Sequence, residues 1–557
     1  MAYSKQTWAN DLAGGTPLSA ARLNVMESGI ETADKHVRSG TGSPESAVTA
    51  PVGDLYTDTA TGKLYLKASG TGNTGWTEKG AAGAAGSIAG MVQATVANYP
   101  TIDPTGVADS SGALSTALAD ARGGTLLIPP GTYLVNSRIT VTLTDGQDLH
   151  VIADGAKFVC GSTSTSQGRM LRFTNTVGTV RNVTTVSETI TAANEYGFQN
   201  IPIATLTCST TPTGIAINDF VRVVADDLVP GPAAGSVVRS GQTCQVVNVS
   251  GNDVVVRGHL RDAFTTNVRL ARLASPRLTW EGGRFTDSAA NIAASTTRGE
   301  LIETRLMIRP SFAGMIFEEL MGAAFNTRHS LGWLIDDVHF RFLHNQSSAV
   351  YGYGIVDCGE LGIASRLHAN GVRHAYTTVA EDTTSTNASI EQYGRTYGTK
   401  VVNSTAHACM AAAWDTHGDA WGVQFINCDS YDSEGAFHLR GRYCIVAGGR
   451  VVGPHQGSVV TIDDTSSSDT SYGHDISGLV IMDTTYRIFV VSNASVTSEP
   501  SYFHDCNILN RDTTDYIFHA TNSVIQHRDI RVAAGGTRAA VSGTASVAIM
   551  TAATDTA

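Results

Sequence analysis

Apolar and polar residues alternate along most of this chain in runs too short for helices, with turn-forming residues between them. Alternation of period two places successive side chains on opposite faces of a strand. Shifting Trp414-Asp415-Thr416-His417 by 23 residues gives Phe437-His438-Leu439-Arg440, and a further 23 gives Val460-Thr461-Ile462-Asp463. Trp414, Phe437 and Val460 then stack inward. Asp415, His438 and Thr461 form one outward row, and His417, Arg440 and Asp463 form the next. A repeat of this length predicts the coils of a parallel β-helix. Asn403-Ser404, Asn427-Cys428, Asp505-Cys506 and Asp357-Cys358 each end a short strand and read as coil corners, because Asn and Asp tolerate turn geometry.

Helical spacing appears twice. After the cap Thr16-Pro17, Leu23, Met26, Ile30, Ala33 and Val37 follow at intervals of 3, 4, 3 and 4, a coiled-coil pattern that continues the helix to about Lys35. So short a pattern predicts a local trimerisation or docking element, or a single helix packed on its own domain. The second helix runs from Ser110 to Ala121 with Leu114, Ala117, Leu118 and Ala121 on one face. Gly123-Gly124, a strand from Thr125 to Ile128, the turn Pro129-Pro130-Gly131-Thr132-Tyr133 and another strand toward Ile139 follow it. A helix leading into strand, turn and strand closes the open end of a solenoid, whose edges would otherwise be unpaired.

Two stretches depart from the repeat. Residues 54–58 and 63–67 alternate on either side of Thr59-Ala60-Thr61-Gly62, which predicts a hairpin whose aromatic face requires partner chains for burial. Gly80, Gly83 and Gly86 then space a neck or linker. From 183 to 272, Asn218-Asp219-Phe220-Val221-Arg222-Val223-Val224 and the run from Cys244 to Val256 read as antiparallel hairpins. They predict an inserted small β-domain that binds glycan or shields the groove.

Composition agrees with strands and turns: 57 of 557 residues are Gly and only 16% are charged. The net charge of −12, with no basic stripe, argues against a nucleic-acid partner. The N-terminus lacks the apolar core of a secretory signal and no window reaches the length of a membrane span, so cytoplasmic synthesis, solubility and no membrane insertion are expected. The eight cysteines form no Cys-x-x-Cys pair, which predicts buried free thiols rather than a zinc site or disulfide framework.

The outward rows bring ionisable residues onto neighbouring strands about 4.8 Å apart. Asp415, His417, Asp419, His438 and Arg440 form the catalytic candidate set, with Arg373, His374, Tyr376, Trp421 and Arg442 as candidate substrate contacts. An Asp beside a His could remove a sugar C5 proton or activate water, while Arg neutralises a uronate carboxylate. The same residues also suit cross-strand charge pairs on a solvated face. His374 extends the groove or is a hydrogen-bonded coil histidine. Glu381-Asp382 lies in the loop that follows. Glu318-Glu319, Asp336-Asp337 and Asp463-Asp464 are adjacent carboxylates, of which one per pair can face a given groove. His339 and His344 lack a matching carboxylate pattern, so no metal or cofactor is expected.

Trp8-Ala9-Asn10, Gly14-Gly15-Thr16-Pro17-Leu18-Ser19-Ala20, Leu23-Asn24 and the blocks Gly42-Ser43-Pro44 and Ala50-Pro51-Val52-Gly53-Asp54-Leu55-Tyr56-Thr57-Asp58 resemble the virion-anchoring regions of tail proteins from phages of actinobacteria. The segment from Gly123 to Tyr133, with the helix before it, resembles the opening of the pectate-lyase-like β-helix superfamily. Arg373-His374 and the string from Trp414 to Ala420 resemble recurring motifs in the β-helix tail proteins of the same phages. The resemblance implies a mainly β chain with a right-handed parallel β-helix body, in a virion tail fibre or tailspike. Residues 1–39 would attach to the virion, 40–90 form hairpin and neck, 91–182 the first coils, 183–272 the insertion, 273–525 the main β-helix and 526–557 an end cap. It implies a homotrimer, tail or baseplate proteins bound at the N-terminus, and host-surface polysaccharide as ligand. The body would be a depolymerase (lyase or hydrolase) or a non-catalytic receptor-binding or structural fibre.

Overall fold

The computed structural model describes residues 37–79 and 91–532, apart from 61–62, 192–200, 230–236, 297, 345–350, 382, 454–456, 464–470, 485–486, 493–499, 510–516, 522 and 524. The expected helix at 16–35, the glycine-spaced neck, Asp382, Asp464 and the end cap beyond 532 lie outside these residues. The chain divides into two compact units, residues 1–100 and 101–557.

In the first unit Val37–Gly40, Leu55–Asp58, Leu64–Lys67 and Trp76–Glu78 form one four-stranded sheet. Its central hairpin sets Tyr56 opposite Tyr65. Tyr56 meets Tyr65 and Trp76 edge to face at ring separations of 6.2 and 6.0 Å, and the Trp76 indole donates to the Val48 carbonyl at 2.8 Å. The expectation that partner chains bury this aromatic face is corrected: with Ala50, the three rings bury one another.

In the second unit, period-two alternation produces three long parallel sheets that wind as a right-handed β-helix. The first sheet runs to Ile525–Arg528 from Gly124–Leu127. The second spans Thr105–Asp109 to Arg531–Val532, and the third Ile139–Leu143 to Phe518–Thr521. Each coil places its inward residues over those of the last. Tyr133, Phe158, Phe285, Phe317 and Phe340 line up inside the second sheet, with successive ring centroids 5.8, 4.9, 5.0 and 5.8 Å apart. Trp414, Phe437 and Val460 are aligned across the third and fully buried, so the 23-residue offset is the true register. The helix Ser111–Asp120 buries Ala113, Leu114, Ala117 and Leu118 against Ile139–Leu143.

The corners explain the spacing of Asn, Asp and Gly. Between the first and second sheets Asp337, Arg366, Asn403, Asn427, Asp505 and Asp529 all adopt left-handed backbone, with φ of 53°, 50°, 50°, 51°, 56° and 49°. Gly448 and Gly478 hold the same place in other coils. Asn, Asp and Gly visit this region at least cost. The next residue points inward, as Val338, Leu367, Ser404, Cys428 and Cys506 do. Asn403, Asn427 and Asp505 thus mark this corner, whereas Asp357 leads into a different one, between the third and first sheets. It ends the third-sheet strand Tyr353–Asp357, and its buried carboxylate accepts from Thr327 Oγ1 (2.5 Å), Tyr376 OH (2.7 Å), Thr399 Oγ1 (2.7 Å) and the Gly359 amide (2.7 Å). A polar residue followed by Cys looks alike in both settings; only the fold tells them apart.

The solenoid is interrupted after Leu171–Asn175 and resumes at Leu278–Glu281. Between them, strands Arg181–Thr191, Ile201–Cys208, Phe220–Leu228, Arg239–Ser250, Asp253–Arg257 and Arg269–Leu273 close an antiparallel barrel. Leu206, Val221, Val223, Val246, Val256 and Leu270 help fill its core. The barrel docks on the coils through buried charge. Glu360 accepts from Arg222, from Arg261 and from the Thr243 amide, and Arg395 pairs with Asp262. All eight cysteines are buried and unbridged. Among the described residues no helix is long and apolar enough to cross a membrane.

Candidate functional site

The outer face of the third sheet carries a continuous row of in-register positions: Glu303, Asn326, Val356, Thr377, Asp415, His438 and Thr461. Its two halves differ. Every member from Glu303 to Asp415 is buried, whereas His438 and Thr461 are partly exposed. Chain between 379 and 397 helps explain the cover, since Glu381 pairs with Arg328, and Glu391 with Arg305 at 3.0 Å. The row emerges into solvent between Asp415 and His438.

Asp415 is the hub of this boundary. Arg440 Nη2 donates to Oδ1 at 2.7 Å and to Oδ2 at 2.9 Å, and Thr377 Oγ1 donates to Oδ2 at 2.5 Å. His438 Nδ1 lies 3.2 Å from Oδ1, His417 Nε2 3.4 Å from Oδ2 and His374 Nε2 4.0 Å from Oδ2. Burial alone would raise the Asp415 pKa; His374, Arg440, His417 and His438 outweigh it and hold the carboxyl well below its usual range. His438 bridges to Asp463, with Nε2 2.8 Å from Oδ1. Burial would depress its pKa, yet the bonds to Asp415 and Asp463 raise it, which favours the imidazolium.

The remaining candidates separate by position. Asp415 is wholly buried and cannot itself meet a substrate, which corrects its expected use as a base. Tyr376 points into the core and donates to Asp357; its place as a substrate contact is corrected because inward parity buries it. His374 is also buried. Its Nδ1 faces the Ala412 carbonyl and its ring stacks on Tyr353 at 5.1 Å, so it is the hydrogen-bonded coil histidine rather than groove lining. Burial lowers its pKa to about 4, against the opposing pull of Asp415. Asp419 is buried with its pKa raised by burial, and its Oδ2 has no hydrogen-bond partner among the described residues. Arg373 lies 4.9 Å from the Tyr351 ring, outside the hub. His417, His438, Arg440 and Asp463 remain at the surface, with side-chain exposures of 30%, 22%, 17% and 29%.

Trp421 and Arg442 belong to a different line. Backbone bridges join Glu360, Tyr397, Trp421, Arg442 and Tyr472 along the corner between the third and first sheets. Tyr397, Trp421, Tyr443 and Tyr472 are half-exposed there, with Trp421 5.4 Å from Tyr443 and Tyr443 5.5 Å from Tyr472. Guanidiniums brace them: Arg261 sits 3.5 Å from the Tyr397 ring, Arg395 4.6 Å from Trp421 and Arg442 5.1 Å from Tyr472. Trp421 stood among the candidate substrate contacts read from the sequence, whereas Tyr397, Tyr443 and Tyr472 did not. Their offsets of 24, 22 and 29 residues carried a signal that uneven loops obscured. Arg261 comes from the barrel and had none.

No family model matches the sequence, and no curated protein matches it. Solved structures do. The tailspike protein gp49 from Pseudomonas phage LKA1 is similar over 78% of this chain and 77% of its own, at 15% identity and a TM-score of 0.55. The tailspike gp61 of Pseudomonas phage phi297 is similar over 81% of this chain and 72% of its own, at 13% identity and a TM-score of 0.56. The shared feature is the β-helix fold.

Proposed function

We propose that this chain is a phage tailspike whose coils bind host-cell surface polysaccharide across the corner between the third and first sheets. The half-exposed run Tyr397, Trp421, Tyr443 and Tyr472 carries this reading. Rings of Trp and Tyr offer flat apolar faces to sugar C–H groups and polar edges to hydroxyls, and these four recur along the coils as sugars recur along a chain. His417, His438, Arg440 and Asp463 stand on or just after the third-sheet strands that lead into this corner and offer charge and hydrogen bonds. The likeness of fold to two tailspikes supports the setting: a homotrimer in the virion tail, joined to tail or baseplate proteins by its N-terminal region. Light scattering on the purified chain tests the trimer, and a monomer would count against it.

One observation favours a second step, cleavage. His417 Nε2 faces Asp415, which fixes the imidazole while leaving it at the surface. In a β-elimination His417 takes the C5 proton of a uronic acid, that electron pair forms the C4–C5 double bond, and the C4–oxygen bond breaks, its oxygen being protonated by water. Arg440, with His438 when protonated, supplies positive charge to offset the uronate. A hydrolase with two exposed carboxylates is less well supported, since Asp415 and Asp419 are both buried. Incubation with host polysaccharide, followed by ultraviolet absorbance of unsaturated ends and a reducing-end assay, decides. Unsaturated products lost in His417→Ala support elimination. Binding without products leaves the receptor-binding fibre.

A further inference from the structure

The outer face of the second sheet carries a cluster unrelated to the glycan surface. His339 and His368 are in-register partners on adjacent parallel strands, and their rings stack 4.7 Å apart at an interplanar angle of 22°. Two residues before His339, Asp337 occupies the left-handed corner with φ of 53°. One ligand atom from each of Asp337, His339 and His368 lies within 4.8 Å of the other two. Stacking accounts for the two imidazoles and the corner backbone for an Asp at 337, but neither requires that its carboxylate come within reach of both rings. Arg366, the corner cation of the next coil, pairs with Asp336 instead.

We propose that Asp337, His339 and His368 bind a divalent transition metal of the zinc type, tying two coils together. Two imidazoles and one carboxylate form a borderline donor set, suited to zinc, cobalt or nickel and poor for calcium or magnesium, which prefer oxygen. Three protein ligands leave at least one position for water. His339 and His368 also line a depression of about 260 Å³, together with Arg341, Asn370 and His407.

Untagged full-length protein, stripped with chelator, is titrated with cobalt(II) and zinc(II) near neutral pH. A visible cobalt band at one ion per chain, displaced by zinc and absent with magnesium or calcium, is expected, together with a higher melting temperature in zinc. His368→Ala and Asp337→Asn should each lose the band, while His407→Ala, in the depression but outside the ligand set, keeps it. The chain has 16 histidines, so cobalt binding that survives His368→Ala would place the metal elsewhere and overturn the proposal. No binding by the folded wild type would overturn it too.

Discussion

The outer row of the third sheet is two surfaces in one. Upstream, beneath the 379–397 segment, its Glu303 is buried and paired with Arg172 and Arg305; Glu381 of the covering segment pairs with Arg328, and Glu360, on the neighbouring corner line under the barrel, with Arg222 and Arg261. Downstream of Asp415 the same register presents His438, Thr461, Arg440 and Asp463 to solvent. The strands are alike in both halves. What differs is cover, so the same kind of residue stabilises in one half and is available for recognition in the other.

The largest expected effect breaks the covered half. Glu360→Ala leaves Arg222 buried without its carboxylate and should destabilise by about 3–5 kcal/mol, whereas Asp463→Asn on the open side should cost under about 1 kcal/mol. Urea unfolding followed by tryptophan fluorescence compares them. Equal losses would remove the distinction between covered and open halves.

Next comes acid. His329 and His374 are buried with pKa values lowered to about 4, and His474 to about 3, chiefly by burial. The unfolded chain takes up these protons first, so stability falls as pH drops from about 6.5 toward 4, by up to about 3 kcal/mol for each of His329 and His374. His438 has the opposite sign. Its raised pKa contributes stability that is full below about 6.5 and lost as pH rises through the folded value. His374→Gln should therefore flatten the acid limb of a melting-temperature profile, and His438→Gln the alkaline limb. A profile unchanged by either would contradict the assigned charge states.

A smaller effect sharpens the division at the hub itself. Asp415→Asn removes the anion that His417, His438 and Arg440 share and should abolish any cleavage, while His417→Ala does the same with melting almost unchanged. Activity measured beside melting separates the buried orienting residue from the exposed one.

The coil period and the corners were legible because Trp414, Phe437 and Val460 repeat a core position, and because Asn403 and Asn427 mark a backbone conformation that few residues adopt readily. Cover was not legible. Asp415 and His438 hold equivalent places in the repeat, yet Thr377, His374, His417 and Arg440 gather around one while the other stays partly exposed. Tyr376 was misplaced for a related reason: it is the register partner of Trp414, but 38 residues separate the two, so the 23-residue offset did not reveal its inward parity. His339 and His368 stand 29 residues apart, so their pairing appeared only once the coils were stacked.

Affinity for host-surface polysaccharide fragments, measured for wild type and Trp421→Ala alongside their melting temperatures, tests the central claim most directly. The account predicts saturable binding by wild type and a loss of about tenfold in the variant, with melting little changed. Equal affinity in both proteins, or no polysaccharide binding by either, would contradict it.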